Sequence, residues 1–349
     1  MNKAIFNINT LIRPNVLKMK SYSSARDEFK DFSSEMIFLD ANENPFDTDV
    51  NRYPDPQQQK LKRLLSKQKS IPTNQILLGN GSDEVLDLIF RAFCEPAKDN
   101  VITLPPTYGM YSVLANLNNI ENREVLLDES FQPKTDEILK NVDKHTKLLF
   151  ICSPNNPTGN LIASEKILNL LNTFNGIVVI DEAYIDFSKA ESWISKLNEF
   201  PNLIVTQTLS KAYGMAGIRL GICYASAEII AVLNKIKPPY NINELTQNRA
   251  VEQLRNSKEV EAEIALLVEE RAQILKALVK VRFIEKIYQT HSNFILIKVD
   301  DAENRYTQLL EKGIVVRNRN TQPLCENTLR ITIGTPSENK KLITILKEL

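Results

Sequence analysis

The chain alternates short apolar runs with stretches whose apolar residues recur at helical spacing. Four runs are apolar on both faces and end in turn-forming or polar residues, which predicts strands buried on both sides over residues 76–78, 148–151, 177–180 and 203–205. Between them, residues 83–93 and 164–174 have the helical pattern, with Ser82 or Asp83 and Ser164 placed as caps. This alternation predicts a mainly parallel, doubly wound α/β sheet.

The pattern changes after the break at Pro238-Pro239. Residues 243–281 are rich in Glu, Leu and Lys and predict a long amphipathic connecting helix. Beyond it, predicted strands alternate with predicted helices, over 294–299, 302–311, 314–316, 329–333 and 338–349. We therefore expect an N-terminal arm over 1–38 that packs on the small domain or a dimer partner, a large domain over 39–242, and a connecting helix with a smaller C-terminal α/β domain over 243–349.

The composition favours an enzyme that acts on small molecules. The 349 residues are 43% hydrophobic, and 43 basic side chains balance 43 acidic ones, so no general field attracts nucleic acid or an anionic membrane. Neither a signal peptide nor a bilayer-spanning stretch is evident, and we expect a cytoplasmic location. Four dispersed cysteines predict reduced structural thiols, and with only two histidines no metal site is expected.

The most informative chemical motif follows the predicted strand at 203–205. Residues 206–211 end in Ser210-Lys211, and Arg219 lies eight positions further on. An amine that forms an imine with a cofactor carbonyl, near hydroxyls and a guanidinium that hold a phosphate, is typical of a pyridoxal phosphate site. Thr208, Ser210 and Arg219 are the candidate phosphate ligands. Alone, Ser-Lys favours a solvated loop lysine, and further motifs are needed to overturn that interpretation.

Two motifs supply the contacts that the cofactor ring needs. Asp181 ends a buried strand, where its carboxylate would keep the ring nitrogen protonated and so maintain the electron sink. Tyr184, three positions on, and Asn156, within Ser-Pro-Asn-Asn-Pro-Thr-Gly, are placed to hydrogen-bond the phenolic oxygen of the ring. A helix-capping aspartate and a turn asparagine are the plainer interpretations of Asp181 and Asn156.

Two further loops complete the candidate site. Residues 79–84, with the sequence Gly-Asn-Gly-Ser-Asp-Glu, join a predicted strand to a helix, so Ser82, Asp83 and the backbone N–H groups are suited to a phosphate at a helix N-terminus. Tyr108, in a Pro-Pro-Thr-Tyr-Gly-Met-Tyr segment, is a candidate to stack on the cofactor ring, although a half-buried aromatic would serve packing alone.

Together the motifs resemble the fold-type I aminotransferases and, within them, the histidinol-phosphate aminotransferase family of histidine biosynthesis. The resemblance covers nearly the whole chain, and its segments are residues 39–45, 52–56, 91–96, 106–111, 153–159, 181–184, 208–211, 317–318 and 329–334. The 153–159 and 208–211 segments are shared across the wider superfamily, whereas 91–96 and 106–111 are more particular to this family.

The resemblance implies a fold-type I pyridoxal phosphate enzyme that exchanges an amino group between L-histidinol phosphate and 2-oxoglutarate. It implies that Lys211 binds the cofactor and then moves a proton, acting with Asp181 and Tyr184. It further implies that Arg330, assisted by Arg317, binds the anionic tail of each substrate. Finally it implies a homodimer with shared sites, in which Tyr53 reaches the partner's cofactor phosphate and Tyr22 of the arm closes over the substrate.

Other enzymes of the same fold compete with this interpretation. An aromatic or broad-specificity aminotransferase, or a threonine-phosphate decarboxylase, would use the same cofactor residues and differ in the tail-binding arginines and the arm. A non-catalytic pyridoxal phosphate sensor is disfavoured, because the first 35 residues are too short for a helix-turn-helix domain and the net charge is zero.

Overall fold

The computed structural model describes residues 6–20 and 37–349. Its α-helices are α1 (Pro14–Lys18), α2 (Gln59–Lys69), α3 (Gly81–Phe93), α4 (Met110–Leu117), α5 (Thr135–Lys140), α6 (Ser164–Thr173), α7 (Ala227–Ile236), α8 (Glu244–Arg255), α9 (Ser257–Leu278), α10 (Ala302–Glu311) and α11 (Pro336–Glu348). Its strands are β1 (Ile76–Asn80), β2 (Asn100–Thr103), β3 (Glu121–Glu124), β4 (Thr146–Cys152), β5 (Ile177–Asp181), β6 (Leu203–Thr208), β7 (Leu220–Ala225), β8 (Ile284–Ile287), β9 (Phe294–Val299), β10 (Arg317–Asn318) and β11 (Thr328–Thr332).

The larger of the two sheets that the structure describes has seven strands and is here called the large sheet. Its order is β1-β7-β6-β5-β4-β2-β3, with parallel pairing from β6 to β3 and antiparallel pairing of β7 with both β6 and β1. Every residue of β5 and β6 is buried, as their apolar runs require for strands covered on both faces. The four strands predicted from such runs are confirmed as β1, β4, β5 and β6.

Two predicted helix caps are wrong. Helix α3 begins at Gly81 after Asn80, and α6 begins at Ser164 itself, and neither helix has a side-chain cap. Gly81 N–H instead donates to the Arg219 carbonyl at 2.9 Å, so the start of α3 is fixed by the strand beside it. Ser82 and Asp83 consequently lie in the first turn of the helix.

A four-stranded antiparallel sheet, the small sheet, has the order β10-β11-β9-β8. One of its faces carries Ile295, Ile297, Leu329 and Ile331, which pack into a core with apolar residues of α9, α10 and α11. The strand predicted at 314–316 lies slightly later, at β10, because Arg317 and Asn318 are the residues that pair with β11. The helix predicted over 243–281 is divided into α8 and α9 at Asn256, whose backbone leaves helical geometry.

Residues 6–20 pack against the large sheet's own helices. Ile8, Leu11, Ile12 and Val16 are buried in a cluster with residues of α3 and α7. Arg13 N–H donates to the Ala92 carbonyl at 3.0 Å. This part of the expected arm therefore has apolar anchors and contacts the large sheet of the same chain, rather than the small sheet. Residues 21–36, with Tyr22, lie outside the described residues.

The four cysteines, Cys94, Cys152, Cys223 and Cys325, are all free and buried. Over residues 6–20 and 37–349, no helix is long and apolar enough to cross a membrane. The same residues hold no group of three or more His, Cys, Asp or Glu side chains placed to bind a metal ion.

Candidate active site

The carboxyl ends of β4, β5 and β6 open into a cleft, here called the cofactor cleft. Ten residues predicted from the sequence line it: Ser82, Asp83, Tyr108, Asn156, Asp181, Tyr184, Thr208, Ser210, Lys211 and Arg219. They meet because parallel strands place their carboxyl ends at one edge of a sheet, where ligands of α/β proteins bind.

Asp181 forms the floor of the cleft. It ends β5 and is 3% exposed. Its Oδ2 accepts a hydrogen bond from the Tyr111 hydroxyl at 2.8 Å, and its Oδ1 accepts one from Ala183 N–H at 3.1 Å. Burial raises the pKa of Asp181, and the bond from Tyr111 opposes that rise. A buried carboxylate with donors but no ion-pair partner among the described residues fits a cationic ring nitrogen of a bound cofactor.

Lys211 also lines the cleft, three residues after β6. Its Nζ lies 5.8 Å from the centroid of the Tyr184 ring. Burial of the amine lowers the pKa of Lys211, the positive charge of Arg330 lowers it further, and Asp181 acts in the opposite direction. A lowered pKa increases the fraction of neutral amine, which is the form that attacks a carbonyl and accepts a proton.

A cup of small and hydroxyl-bearing residues lies between β6, β7 and the start of α3. Thr208 and Ser210 are joined by a hydroxyl–hydroxyl contact of 3.0 Å, and Ser210 N–H donates to the Thr208 hydroxyl at 3.1 Å. A Cβ on Gly81 would lie 2.5 Å from Arg219 Nη2, and Gly81 has a φ of +78°. The glycine therefore lets the guanidinium approach the first turn of α3, where N–H groups are available for a phosphate.

Asp83 has two polar partners within this cup. Its Oδ2 lies 3.5 Å from Arg219 Nη2, and its Oδ1 accepts a hydrogen bond from the Tyr108 hydroxyl at 3.0 Å. Burial raises the pKa of Tyr108, and the neighbouring Asp83 carboxylate adds to that rise. The carboxylate thus contacts both a guanidinium and a phenol that line the cleft.

Asn156 connects the cleft to the small sheet. Its Nδ2 donates to the Tyr184 hydroxyl at 3.3 Å, and its Oδ1 accepts from Arg330 Nη1 at 2.5 Å. The Arg330 guanidinium also lies 5.1 Å from the Phe294 ring centroid. Arg317 is exposed and pairs with Arg330 across the β10–β11 register, so the two predicted tail-binding arginines are neighbours.

Tyr53 lies apart from the cofactor cleft of its own chain. It is 51% exposed and stacks on Tyr240 with ring centroids 4.5 Å apart. It borders a separate groove of ≈ 780 Å³ with Val50 and Leu245. Tyr22, the remaining predicted substrate contact, is outside the described residues.

Sequence reasoning missed several side chains that shape the site. Tyr111 was part of a recognised segment, but its bond to Asp181 spans 70 positions and leaves no local signal. Glu182 is buried, which raises its pKa to about 6, and it accepts hydrogen bonds from Ser192 and Gln207 beside β6. Arg319 was also missed, although its position two residues after Arg317 is the strand spacing that places side chains on one face.

The chain belongs to the family described as "Aminotransferase class I and II", whose model matches residues 28–346. Enzymes of this family depend on pyridoxal phosphate, and the predicted enzyme class and cofactor are confirmed. Within the family, the chain is similar to a histidinol-phosphate aminotransferase from Flavobacterium johnsoniae, with 64% identity over 98% of each chain. The resemblance predicted from the motifs is confirmed as well.

Solved structures agree with this assignment. The histidinol-phosphate aminotransferase from Clostridium acetobutylicum superimposes with a TM-score of 0.79 and 26% identity, over 86% of this chain and 91% of that chain. The enzyme of the same name from Sinorhizobium meliloti, solved in complex with pyridoxal 5′-phosphate, has a TM-score of 0.78 at 21% identity, over 86% of this chain and 83% of that chain. The predicted fold-type I architecture is confirmed.

Proposed function

We propose that the protein transfers an amino group between L-histidinol phosphate and 2-oxoglutarate, with imidazole acetol phosphate and L-glutamate as the other pair, in histidine biosynthesis. The observation that carries this proposal is the bond from Arg330 to Asn156. It joins a side chain of the cofactor cleft to a pair of arginines suited to an anionic substrate tail. The name shared by relatives such as the Flavobacterium enzyme supports the same substrate.

The cofactor's position follows from the chemistry of the cleft. We assign its carbonyl to Lys211, its ring nitrogen to Asp181, its ring face to Tyr108, and its phenolic oxygen to Asn156 and Tyr184. Its phosphate is assigned to Ser82, Thr208, Ser210, Arg219 and the first-turn N–H of Asp83. When bound, pyridoxal phosphate supplies an electron sink for the electrons released at the substrate Cα.

Lys211 has two roles in this proposal. It would anchor the cofactor, and its neutral Nζ would take the proton from the substrate Cα. The lowered pKa of Lys211 favours that neutral form, because burial and Arg330 both disfavour the ammonium. Tyr184, whose ring lies beside Nζ, limits the space in which the amine moves.

The tail site must accept two anions in turn. Histidinol phosphate presents a dianionic phosphate, and glutamate presents a carboxylate. Guanidinium groups bind both kinds of anion through parallel N–H donors, so Arg330 assisted by Arg317 suits either substrate.

We also propose a twofold homodimer in which Tyr53 completes the partner's phosphate site and Tyr22 covers the substrate. Two exposed apolar side chains, Val50 and Leu245, line a groove with Tyr53 and support a subunit interface there. Three further points remain predictions. They are the domain boundaries at 38/39 and 242/243, the cytoplasmic location, and the absence of nucleic-acid or membrane partners.

The visible spectrum of the cofactor-loaded protein tests the proposal. In separate titrations without a keto acid, histidinol phosphate should remove the absorption band of the lysine-bound cofactor at far lower concentration than phenylalanine does. Equal or better conversion by phenylalanine would indicate an aromatic or broad-specificity aminotransferase, and carbon dioxide release from threonine phosphate would indicate the decarboxylase.

A further inference from the structure

Arg319 lies on the same face of the small sheet as Arg317 and Arg330. Its N–H donates to the Thr328 carbonyl at 2.9 Å, which continues the β10–β11 pairing by one residue. Alternate residues of a strand point to one face, so Arg319 shares a face with Arg317, and Arg317 lies opposite Arg330 in the register. We call these three residues the arginine face.

This face is turned towards the cofactor cleft. Phe294 lies on the same side of β9, two register positions from the residue that pairs with Arg330, and its ring meets the Tyr184 ring edge-on at 5.1 Å. The opposite side of the sheet carries Leu329 and Ile331 and is covered by helices. The arginine face and Tyr184 therefore border one space.

The three guanidiniums use little of their hydrogen-bonding capacity on the described residues. Among the described residues, they donate one side-chain hydrogen bond, from Arg330 to Asn156. Within residues 6–20 and 37–349, the Nε atoms of Arg319 and Arg330 are buried without a partner. Buried donors are normally satisfied, because each unsatisfied one carries a desolvation cost that a ligand acceptor would remove.

The electrostatics point to the same conclusion. Within the described part of the chain, no carboxylate lies within ion-pair distance of these three arginines, whereas Arg52, Arg123, Arg249 and Arg305 each have at least one. Burial lowers the pKa of Arg319 to about 10, and the charges of Arg330 and Arg317 contribute to the lowering, while Tyr184 opposes it. Arg319 remains charged at neutral pH, so three neighbouring cations face the cleft without an anion from the described residues.

We infer that Arg319 is a third guanidinium of the tail-binding site and that it favours a dianionic phosphate over a carboxylate. This inference rests on the proposed function and deepens it. One guanidinium fork satisfies a carboxylate, whereas a phosphate monoester has three terminal oxygens and nearly two charges to neutralise. A third guanidinium beside Arg330 and Arg317 therefore strengthens the binding of a phosphate more than the binding of a carboxylate.

Arg319→Gln tests the role, with Arg319→Lys as the conservative variant and Arg282→Gln as a matched control on an exposed arginine of the same region. The cofactor-loaded proteins are compared in the half-reaction with histidinol phosphate, with its dephosphorylated form histidinol, and with L-glutamate. We expect Arg319→Gln to raise KM for histidinol phosphate about 10- to 100-fold, the effect of losing one charge-assisted hydrogen bond or two. Histidinol and glutamate should change less than about twofold, and the lysine variant should fall between.

A loss of equal size for all three amino donors would overturn the inference, as would an unchanged KM for histidinol phosphate. Inorganic phosphate, added as a competitor of glutamate, gives a readout that does not need the proposed substrate. If the wild-type protein does not convert histidinol phosphate, the proposed function fails. Weaker inhibition by phosphate in Arg319→Gln would still support the site, and equal inhibition would overturn it.

Discussion

Several polar side chains of the cofactor cleft have polar partners in the fold, whereas the side chains of the arginine face have almost none among the described residues. Asp181, Asp83 and Asn156 each have two polar partners within hydrogen-bond or ion-pair distance. The three guanidiniums of the small sheet share one side-chain hydrogen bond among the described residues.

In the proposed function, the two regions differ because one binds the cofactor and the other binds the substrate tail. A cofactor that stays bound through every cycle favours a preorganised site, whose groups are held in place by their neighbours. A tail site that must accept and release two different anions needs donors whose partners arrive with the substrate. The chemistry common to the family therefore lies in the satisfied region, and the choice of substrate lies in the unsatisfied one.

The largest expected effect is in the cleft. Lys211→Ala removes the only amine that the proposal uses for proton transfer, so kcat should fall by about 10⁴-fold or more for every amino donor. Absorption of the cofactor in the purified protein should also lose the lysine-bound band. Lys312→Ala, at an exposed position, serves as control, and multiple turnovers by the Lys211 variant would contradict the assigned role.

Asp181→Asn should come next. The amide keeps the shape of the side chain but loses the charge that stabilises a protonated ring nitrogen, and we expect kcat to fall about 10²- to 10³-fold. The loss should be the same for phosphorylated and unphosphorylated donors, because the ring chemistry is common to both. Asp136→Asn on α5 is the control. A loss of kcat that differs between donors would contradict the assignment of Asp181 to the ring chemistry that all donors share.

Arg330→Gln should act on the other region and should be selective. Removing a guanidinium that contacts the tail is expected to raise KM for histidinol phosphate about 100-fold and KM for glutamate about 10-fold. Steady-state kinetics with both donors measures the ratio. An unchanged KM with a reduced kcat would show that Arg330 acts through Asn156 alone.

Tyr111→Phe should have a smaller effect of the same kind as Asp181→Asn. The variant removes the 2.8 Å hydrogen bond that opposes the raised pKa of Asp181, so that pKa should rise further. Because the carboxylate must be ionised, activity should begin to fall at a higher pH as the solution is acidified. The pH profile of kcat tests this, with Tyr288→Phe as control, and we expect about tenfold lower kcat at neutral pH.

The smallest expected effect is a change in the pKa of Lys211, in the cofactor cleft, caused by a substitution on the arginine face. Arg330 is one of the charges that lower the pKa of Lys211, so Arg330→Gln should raise that pKa. In cofactor-free protein, the modification of Lys211 by an amine-selective reagent should then require a higher pH than in the wild type. Arg282→Gln should leave the profile unchanged, and an unchanged profile in Arg330→Gln would mean that the two regions do not interact electrostatically.

The sequence was sufficient for elements whose burial is continuous. Strands β4, β5 and β6 were predicted because an apolar run is required on both faces of a central strand. Strand β3 was not predicted, since its residues are polar, and its place at the sheet edge depends on backbone pairing with β2. The break at Asn256 left the helical periodicity intact and was equally invisible.

The candidate site divides in the same way. Lys211 and Asp181 were predicted because each belongs to a short motif at the end of a strand, and such motifs indicate the chemistry of their residues. Tyr111 and Arg319 act through distant contacts and through a shared sheet face, which become visible only when the register is known. The cup's geometry also escaped prediction, because it depends on how closely Gly81 lets Arg219 approach.

The buried cysteines can be used to measure how often the regions around them unfold. Burial raises the pKa of the Cys94, Cys152 and Cys223 thiols, so the folded chain offers almost no thiolate to an alkylating reagent. Labelling at each position therefore measures how often its surroundings unfold. Cys325 lies just before β11 of the small sheet, and Cys152 and Cys223 lie on strands of the large one. The order in which they are labelled would rank the resistance of the two sheets to unfolding within a single experiment.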